Sequence, residues 1–149
     1  MKTKNIPHKA THPGVLIKDE LDYRDELNQK ELARLLDVKP SYLNEIIKGK
    51  RNITSDNAYL LEKALGISAE YWMKFQSQYD IDKSRIKEKN QSKVRNIEIW
   101  NIIKEYLPVK YLKKNGYLNE NLSDDIQKLK DFYKVSDIDE LVEKLKGSK

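Results

Sequence analysis

The segment from Asn28 to Arg51, NQKELARLLDVKPSYLNEIIKGKR, constrains this chain more than any other, because it carries the marks of two short helices joined by a tight turn. Asn28 can cap the first helix by accepting a backbone hydrogen bond. Pro40 suits the first turn of the second helix, where its missing N–H leaves no bond unmade. Gly49 is suited to end that helix. The segment predicts two helices, over residues 28–37 and 40–48.

Apolar residues recur along both predicted helices at the period of an amphipathic helix. They are Leu32, Ala33, Leu35 and Leu36 in the first helix, and Leu43, Ile46 and Ile47 in the second. Ala33 is small enough to let the two helices approach closely, and we expect Val38 to be buried in the turn between them. Two short helices joined in this way are typical of a DNA-binding helix-turn-helix, whose second helix enters the major groove.

Three further helices are expected around this pair. Pro13 can start a helix before it, Thr54 can cap a fourth helix that ends at Gly66, and Ser68 can cap a fifth. Five helices would then fill residues 12–80.

The remainder predicts a second helical module. Residues 87–96 are so polar that we place a boundary near residue 90, and a new apolar stripe follows at Ile97, Trp100, Ile103 and Leu107. Later helices are predicted from caps at Ser123 and at Ser136 with Asp139. The first of them has Ile126, Leu129 and Phe132 on its inward face. The prediction is an all-α protein with a five-helix repressor-like domain and a small helical C-terminal module. The expected divisions are a flexible basic arm (1–11), the helix-turn-helix domain (12–89) and the C-terminal module (90–149).

Composition argues against several functional classes. The chain has no cysteine, and His8 and His12 are its only histidines, so no zinc site, metal or cofactor is expected. We expect His12 to pack or cap at the start of the first helix. No catalytic triad or phosphate-binding glycine loop is present, which argues against an enzyme. No apolar run approaches the roughly 20 residues of a membrane span, so we expect a cytoplasmic protein without a membrane partner.

Positive charge is unevenly distributed. The formal net charge is +5, and residues 81–114 hold 10 basic and 4 acidic side chains, whereas residues 115–149 hold 6 and 8. In the helix-turn-helix region the basic residues concentrate at Lys39, Lys48, Lys50 and Arg51. A local basic rim of this kind is sufficient to contact DNA phosphates.

The helix-turn-helix segment resembles the phage-repressor-like (XRE) family. It has Gln29, Leu32, Ala33, Val38 and Gly49 in the order and spacing of that family. Asp37 stands where the family usually has a left-handed glycine, and aspartate is among the few residues that tolerate this conformation.

A longer pattern resembles the HigA-type antidote proteins of plasmid-maintenance modules. It runs from His12-Pro13-Gly14 through Gly49-Lys50-Arg51-Asn52-Ile53-Thr54, Leu65-Gly66, Ser68, Trp72 and Gln76 to Tyr79-Asp80. The resemblance implies a transcriptional autorepressor that binds operator DNA and also neutralises a ribonuclease-type toxin, as the antitoxin of a type II toxin-antitoxin module. The acidic residues 115–149 are a candidate docking surface for a basic toxin.

The family's geometry assigns roles to individual side chains. Candidate base contacts are Ser41, Tyr42 and Glu45. Candidate phosphate contacts are Gln29, Lys39, Asn44, Lys48, Lys50 and Arg51. A repressor of this type is expected to be a homodimer, because one helix reads too few base pairs, and the candidate dimer seam is Trp72, Phe75 and Tyr79. Two alternatives stay open, namely a helical protein-binding adaptor and a plain phage or plasmid repressor without a toxin partner.

Overall fold

The computed structural model describes residues 6–119 and 121–147, and every regular element within them is an α-helix. The helices are α1 (Gly14–Tyr23), α2 (Gln29–Leu35), α3 (Pro40–Ile47), α4 (Ser55–Leu65), α5 (Ala69–Ile86), α6 (Glu88–Tyr106), α7 (Val109–Lys114), α8 (Leu122–Tyr133) and α9 (Ile138–Gly147). The chain divides into two compact units between Lys87 and Glu88. The first unit holds α1 to α5 and the second holds α6 to α9, which confirms the predicted all-α class.

Helix starts in the first unit follow from single cap residues. The Asn28 side chain accepts a hydrogen bond from the Glu31 N–H at 2.8 Å, and the Thr54 hydroxyl accepts one from Asn57 at 3.2 Å. Ser68 caps α5 in the same way. All three caps were predicted, because each satisfies a backbone N–H that has no partner inside its helix.

The core of the first unit draws on all five helices. Its buried members are Ile17, Leu27, Leu32, Ala33, Leu36, Leu43, Ile46, Ile53, Ala58, Leu61, Leu65 and Trp72. The expected close packing of Ala33 is confirmed, whereas Val38 is only partly buried. Leu35 was expected on the inner face, but it is 48% exposed because the buried stripe of α2 is centred on Leu32 and Leu36.

The tripeptide His12-Pro13-Gly14 attaches the start of α1 to the end of α3. His12 Nδ1 accepts a hydrogen bond from the Gly14 N–H at 2.9 Å, so the predicted capping role of His12 is confirmed. A β-carbon at Gly14 would lie 2.6 Å from the Ile47 carbonyl oxygen and would also clash with that of Ile46. Gly14 is therefore required by the close approach of two helices.

The predicted N-terminal arm lies only partly within the described residues. Residues 1–5 lie outside the described residues. Within the rest of the arm, His8, Lys9 and Ala10 line a cavity of about 370 Å³ together with the C-terminal half of α5.

The second unit has a core of its own. Its buried members are Ile99, Ile103, Ile126, Leu129, Leu141 and Leu145. Two residues predicted to face inward do not: Ile97 is 52% exposed and Phe132 is 77% exposed. In α6, Ile99 is buried in place of Ile97, whereas Ile103 is buried as predicted. In α8, the predicted Ile126 and Leu129 are buried, and only Phe132 faces solvent.

Two predicted caps in the second unit were wrong. Asn121, not Ser123, caps α8 by accepting a hydrogen bond from Asp124 at 3.1 Å. Asp137, not Ser136, accepts the first hydrogen bond of α9, from Glu140 at 2.8 Å. In residues 6–119 and 121–147, no helix is long and apolar enough to cross a membrane.

Candidate nucleic-acid interface

The turn between α2 and α3 sets the position of the second helix. Asp37 has a φ of 53°, the left-handed conformation that the sequence predicted for it. The next N–H, of Val38, donates to the Ala33 carbonyl at 3.0 Å and closes the end of α2. Because Asp37 bends the chain here, α3 can start at Pro40 and pack across α2.

Helix α3 has one buried face and one accessible face. Leu43 and Ile46 are fully buried in the core, whereas Ser41 and Lys48 are exposed. Ser41 and Glu45 lie four residues apart and therefore share a face. A helix whose outer face carries short polar and charged groups has the form that major-groove reading requires.

Tyr42 is held by two contacts. Its hydroxyl accepts a hydrogen bond from Asn57 Nδ2 at 2.9 Å, and the Arg51 guanidinium carbon lies 4.6 Å from its ring centroid. Asn57 is itself buried in α4. The ring is thus fixed between α4 and the loop after α3.

Glu45 and Arg51 form an ion pair that the sequence did not predict. Glu45 Oε2 accepts a hydrogen bond from Nε of Arg51 at 2.9 Å and also lies 2.9 Å from Nη2, and both side chains are roughly half exposed. The pair joins a candidate base contact to a candidate phosphate contact. Their separation of six residues matches no helical spacing, so only the fold of the loop brings them together.

A tight turn positions the basic residues after α3. Gly49 has a φ of 78°, and the Lys50 N–H donates to the Glu45 carbonyl at 2.8 Å, which is the geometry of a glycine-terminated helix end. The turn leaves the side chains of Lys48 and Lys50 exposed beside Arg51. Positive charge therefore collects at the C-terminal end of α3.

Gln29 and Asn44 are also brought together. Gln29 Nε2 donates to Asn44 Oδ1 at 3.2 Å, which links the first residue of α2 to the middle of α3. Lys39 is exposed immediately before α3. With these three residues, all nine candidate DNA contacts lie on α2, α3 or the segments that flank α3.

The predicted dimer seam is wrong for Trp72. Its side chain has no exposed surface, because it fills the core of its own unit, so a second copy cannot reach it. Phe75 and Tyr79 are half-buried, and the Tyr79 ring packs edge-on against His12 with centroids 4.8 Å apart.

The His12 imidazole is enclosed between the helix-turn-helix and α5. It is 7% exposed, and its Nε2 has no hydrogen-bond partner within the described residues. Burial lowers the pKa of His12, and the nearby Arg51 main chain and Asp80 carboxylate only partly oppose this effect. No group of three metal-ligating side chains occurs in the part of the chain that the structure describes.

Comparisons with known proteins agree with this geometry. Residues 18–72 match the family model described as helix-turn-helix. The virulence-associated protein A' of Dichelobacter nodosus is 42% identical over 95 residues, which cover 63% of this chain and 76% of that protein.

Two solved structures are similar to the first unit. An addiction module antidote protein of the HigA family from Coxiella burnetii shares 31% identity, with a TM-score of 0.54, over 58% of this chain and 92% of that one. PA4674 from Pseudomonas aeruginosa, solved in complex with its operator DNA, shares 28% identity, with a TM-score of 0.53, over 60% and 94%. The chain belongs to the XRE-type helix-turn-helix family, and within it to the HigA-type antidote proteins.

Proposed function

We propose that this protein is a sequence-specific DNA-binding autorepressor that also acts as the antitoxin of a type II toxin-antitoxin module. The observation that carries the proposal is the accessible face of α3, where Ser41 and Glu45 lie beside the basic group formed by Lys48, Lys50 and Arg51. The complex of PA4674 with its operator DNA supports it, since that protein is similar over 60% of this chain.

Direct readout of bases would fall to Ser41, Tyr42 and Glu45. A carboxylate in the major groove accepts a hydrogen bond from cytosine N4 and repels neighbouring phosphates. Glu45 would therefore discriminate between bases while adding little affinity. Its pairing with Arg51 moderates the repulsion, because the guanidinium holds a positive charge 2.9 Å from the carboxylate oxygen.

Affinity for any DNA sequence would come from the phosphate contacts. Lys48 and Lys50 are exposed and Arg51 is half exposed, so all three can reach a phosphate without unfolding the turn at Gly49. Each lysine that neutralises a phosphate releases a counterion, which makes affinity fall as salt rises. Gln29, Asn44 and Lys39 would add contacts at the other end of α3.

The active form would be a homodimer on two half-sites about 34 Å apart, since one α3 reads too few base pairs for specificity. Phe75 and Tyr79 on α5 remain the proposed seam. They are half-buried, so each keeps a surface that a second copy can cover.

The antitoxin role rests on membership of the HigA-type family. The proposed partner is a ribonuclease-type toxin encoded beside this gene. Binding to operator DNA would place this protein, and the toxin bound to it, in the cytoplasm. Co-expression of the adjacent reading frame with the full chain should rescue growth. Failure of rescue, with operator binding retained, would support the alternative of a plain repressor.

Operator binding can be tested with the DNA upstream of this gene. We expect the protein to shift this DNA at nanomolar concentration. The Lys48→Ala/Lys50→Ala variant should lose affinity for it by about tenfold or more. The Lys128→Ala variant is the control, because Lys128 is an exposed lysine of the second unit. Equal binding of all three proteins to the upstream DNA and to unrelated DNA would reject the repressor function and favour a protein-binding adaptor.

A further inference from the structure

We propose that the second unit carries a separate binding surface for single-stranded nucleic acid, formed by α7 and the turn after it. The α7 surface consists of Lys110, Tyr111, Lys113, Lys114 and Tyr117. All five side chains are exposed, Tyr111 by 60% and Tyr117 by 63%. The surface lies beyond residues 18–72, which the family model covers, so it is additional to the operator-reading face.

The α7 surface has no acidic residue among its own members or between them. Residues 106–119 contain three lysines and no aspartate or glutamate. No ion pair joins these lysines to an acidic side chain among the described residues. Lys113 makes a cation–π contact instead, with its Nζ 5.4 Å from the centroid of the Trp100 ring.

Helix stability does not account for this charge. Lys113 and Lys114 lie in the last turn of α7, where the helix dipole favours cations. Lys110, however, lies in the first turn, where the dipole disfavours a cation, and it is three and four residues from the other two. Like charges at these spacings repel weakly, and an anionic ligand bound to the three lysines would relieve this repulsion.

The two tyrosines project from a backbone that is held in place. Asn115 Nδ2 donates to the Tyr111 carbonyl at 2.8 Å, and Gly116, with a φ of 77°, reverses the chain. The Tyr117 N–H then donates to the Leu112 carbonyl at 2.9 Å. Leu118, directly after it, is buried. Both rings are therefore presented to solvent from fixed positions.

Exposed rings beside lysines fit one class of ligand best. Unpaired bases stack on aromatic side chains while lysines contact the backbone, and this combination is typical of single-strand binding. A duplex buries the faces of its bases, so it would leave both tyrosines unused. Protein interfaces are depleted in lysine, so an acidic protein is a poorer match.

Fluorescence anisotropy of the full chain with labelled 12-nucleotide oligo-dT and oligo-rU tests the proposal. The measurements are made in a Lys48→Ala/Lys50→Ala background, so that the proposed operator surface does not contribute. We expect saturable, salt-sensitive binding that falls at least tenfold in Lys110→Ala/Lys113→Ala/Lys114→Ala. Tyr111→Ala/Tyr117→Ala should weaken binding about tenfold, whereas Tyr111→Phe/Tyr117→Phe should retain it, because a phenyl ring still stacks.

Matched controls come from the same unit. Lys128→Ala removes an exposed lysine and Phe132→Ala an exposed aromatic ring outside the α7 surface, and neither should change binding. Unchanged binding in the triple lysine variant would overturn the proposal. Binding of polyglutamate as tight as that of the oligonucleotides would also overturn it. So would a triple lysine variant that loses affinity for duplex DNA but keeps its affinity for oligo-dT and oligo-rU. Failure of operator repression alone leaves these results intact, because it concerns the other unit.

Discussion

Glycine at position 14 shows how one residue can fix the angle at which a helix enters the domain. Its missing side chain lets the start of α1 approach the last carbonyl groups of α3, with a hypothetical β-carbon only 2.6 Å from the Ile47 oxygen. Those carbonyls belong to backbone that cannot move without shifting α3. The orientation of the candidate recognition helix therefore depends on a residue that would never contact DNA.

We expect Gly14→Ala to destabilise the first unit by about 1–3 kcal/mol, because the added methyl group overpacks a backbone contact. Operator affinity should fall as well. Gly147→Ala is the matched control, since a β-carbon there meets no atom within 4 Å and alanine favours a helix. Thermal unfolding followed by circular dichroism measures both, and equal midpoints for the two variants would contradict the explanation.

His12 should make stability depend on pH. Burial lowers the pKa of the folded imidazole, so the unfolded chain binds more protons in the window just below the unfolded value of 6.5. Stability should therefore be full above this value and fall as the pH drops toward the folded pKa. His12→Asn retains a hydrogen-bond acceptor for Gly14 and should flatten the fall, whereas His8→Asn, at an exposed histidine, should leave it unchanged. Urea unfolding between pH 5 and 7.5 measures the slopes.

The ion pair of Glu45 with Arg51 predicts two effects for one substitution. Glu45→Gln removes the charge that holds Arg51, so overall DNA affinity should rise. It also removes the carboxylate acceptor for cytosine N4, so the preference for one base at one position of each half-site should weaken by about 1–3 kcal/mol. Binding-site selection measures the second effect, and a sequence preference identical to that of the wild type would exclude Glu45 from direct readout.

Lys50→Ala is the contrasting variant, because it removes one proposed phosphate contact. It should weaken binding to all sequences alike and flatten the salt dependence by about one unit. Any change in base preference would contradict this assignment.

At the scale of the elements, one buried amide ties α5 to the loop before α4. Gln76 is 3% exposed, its Oε1 accepts from the Ile53 N–H at 2.8 Å, and its Nε2 donates to Asp80 at 3.0 Å. Gln76→Leu would leave a buried N–H without a partner, at a cost of about 1–3 kcal/mol.

Gln78→Leu is the control for this effect. Gln78 lies on the same helix and makes the same type of bond, to Asp82 at 2.9 Å, but it is exposed. Its substitution should change the free energy of unfolding by less than about 0.5 kcal/mol. Chemical denaturation of the two variants compares the costs, and equal values would show that the Ile53 bond contributes nothing.

Sequence predicted helix starts well wherever a single residue was eligible as the cap. Asn28 and Ser68 each stand alone before an apolar stripe, and both cap their helices. Thr54 also caps its helix as predicted, although Ser55, Asp56 and Asn57 directly follow it. Before α8, Asn121 and Ser123 are both suitable, and local chemistry does not rank them. Spacing alone therefore predicted the helix but not its first residue.

Helix faces and long-range bonds needed the fold. In α6 the periodic pattern suited Ile97 as well as Ile99, and only packing against α8 and α9 decides between them. Trp72 was predicted at a dimer seam because α5 carries more aromatic residues than a small domain was expected to bury. The core of the first unit nevertheless encloses its side chain completely. The pairing of Glu45 with Arg51 follows from the turn at Gly49, which no periodicity encodes.

At the scale of the whole molecule, two cores share no residue, and the break falls at Lys87. We expect a chain ending at Lys87 to fold by itself, since 87 residues with a core from five helices exceed the size at which single domains become marginal. Cooperative thermal unfolding and retained operator binding would be the expected result. A fragment that unfolds without a transition would show that the second unit is needed for stability.

The different attachments of the three candidate base readers have a consequence for how such repressors diverge after gene duplication. Ser41 is exposed and bonds to no described side chain, so it can mutate alone and shift the preferred operator at no cost to folding. Tyr42 is coupled to Asn57 and Glu45 to Arg51, so a change at either position also alters the contacts of its partner. Duplicated copies within one genome would separate their targets first at position 41 and only later at the two coupled pairs.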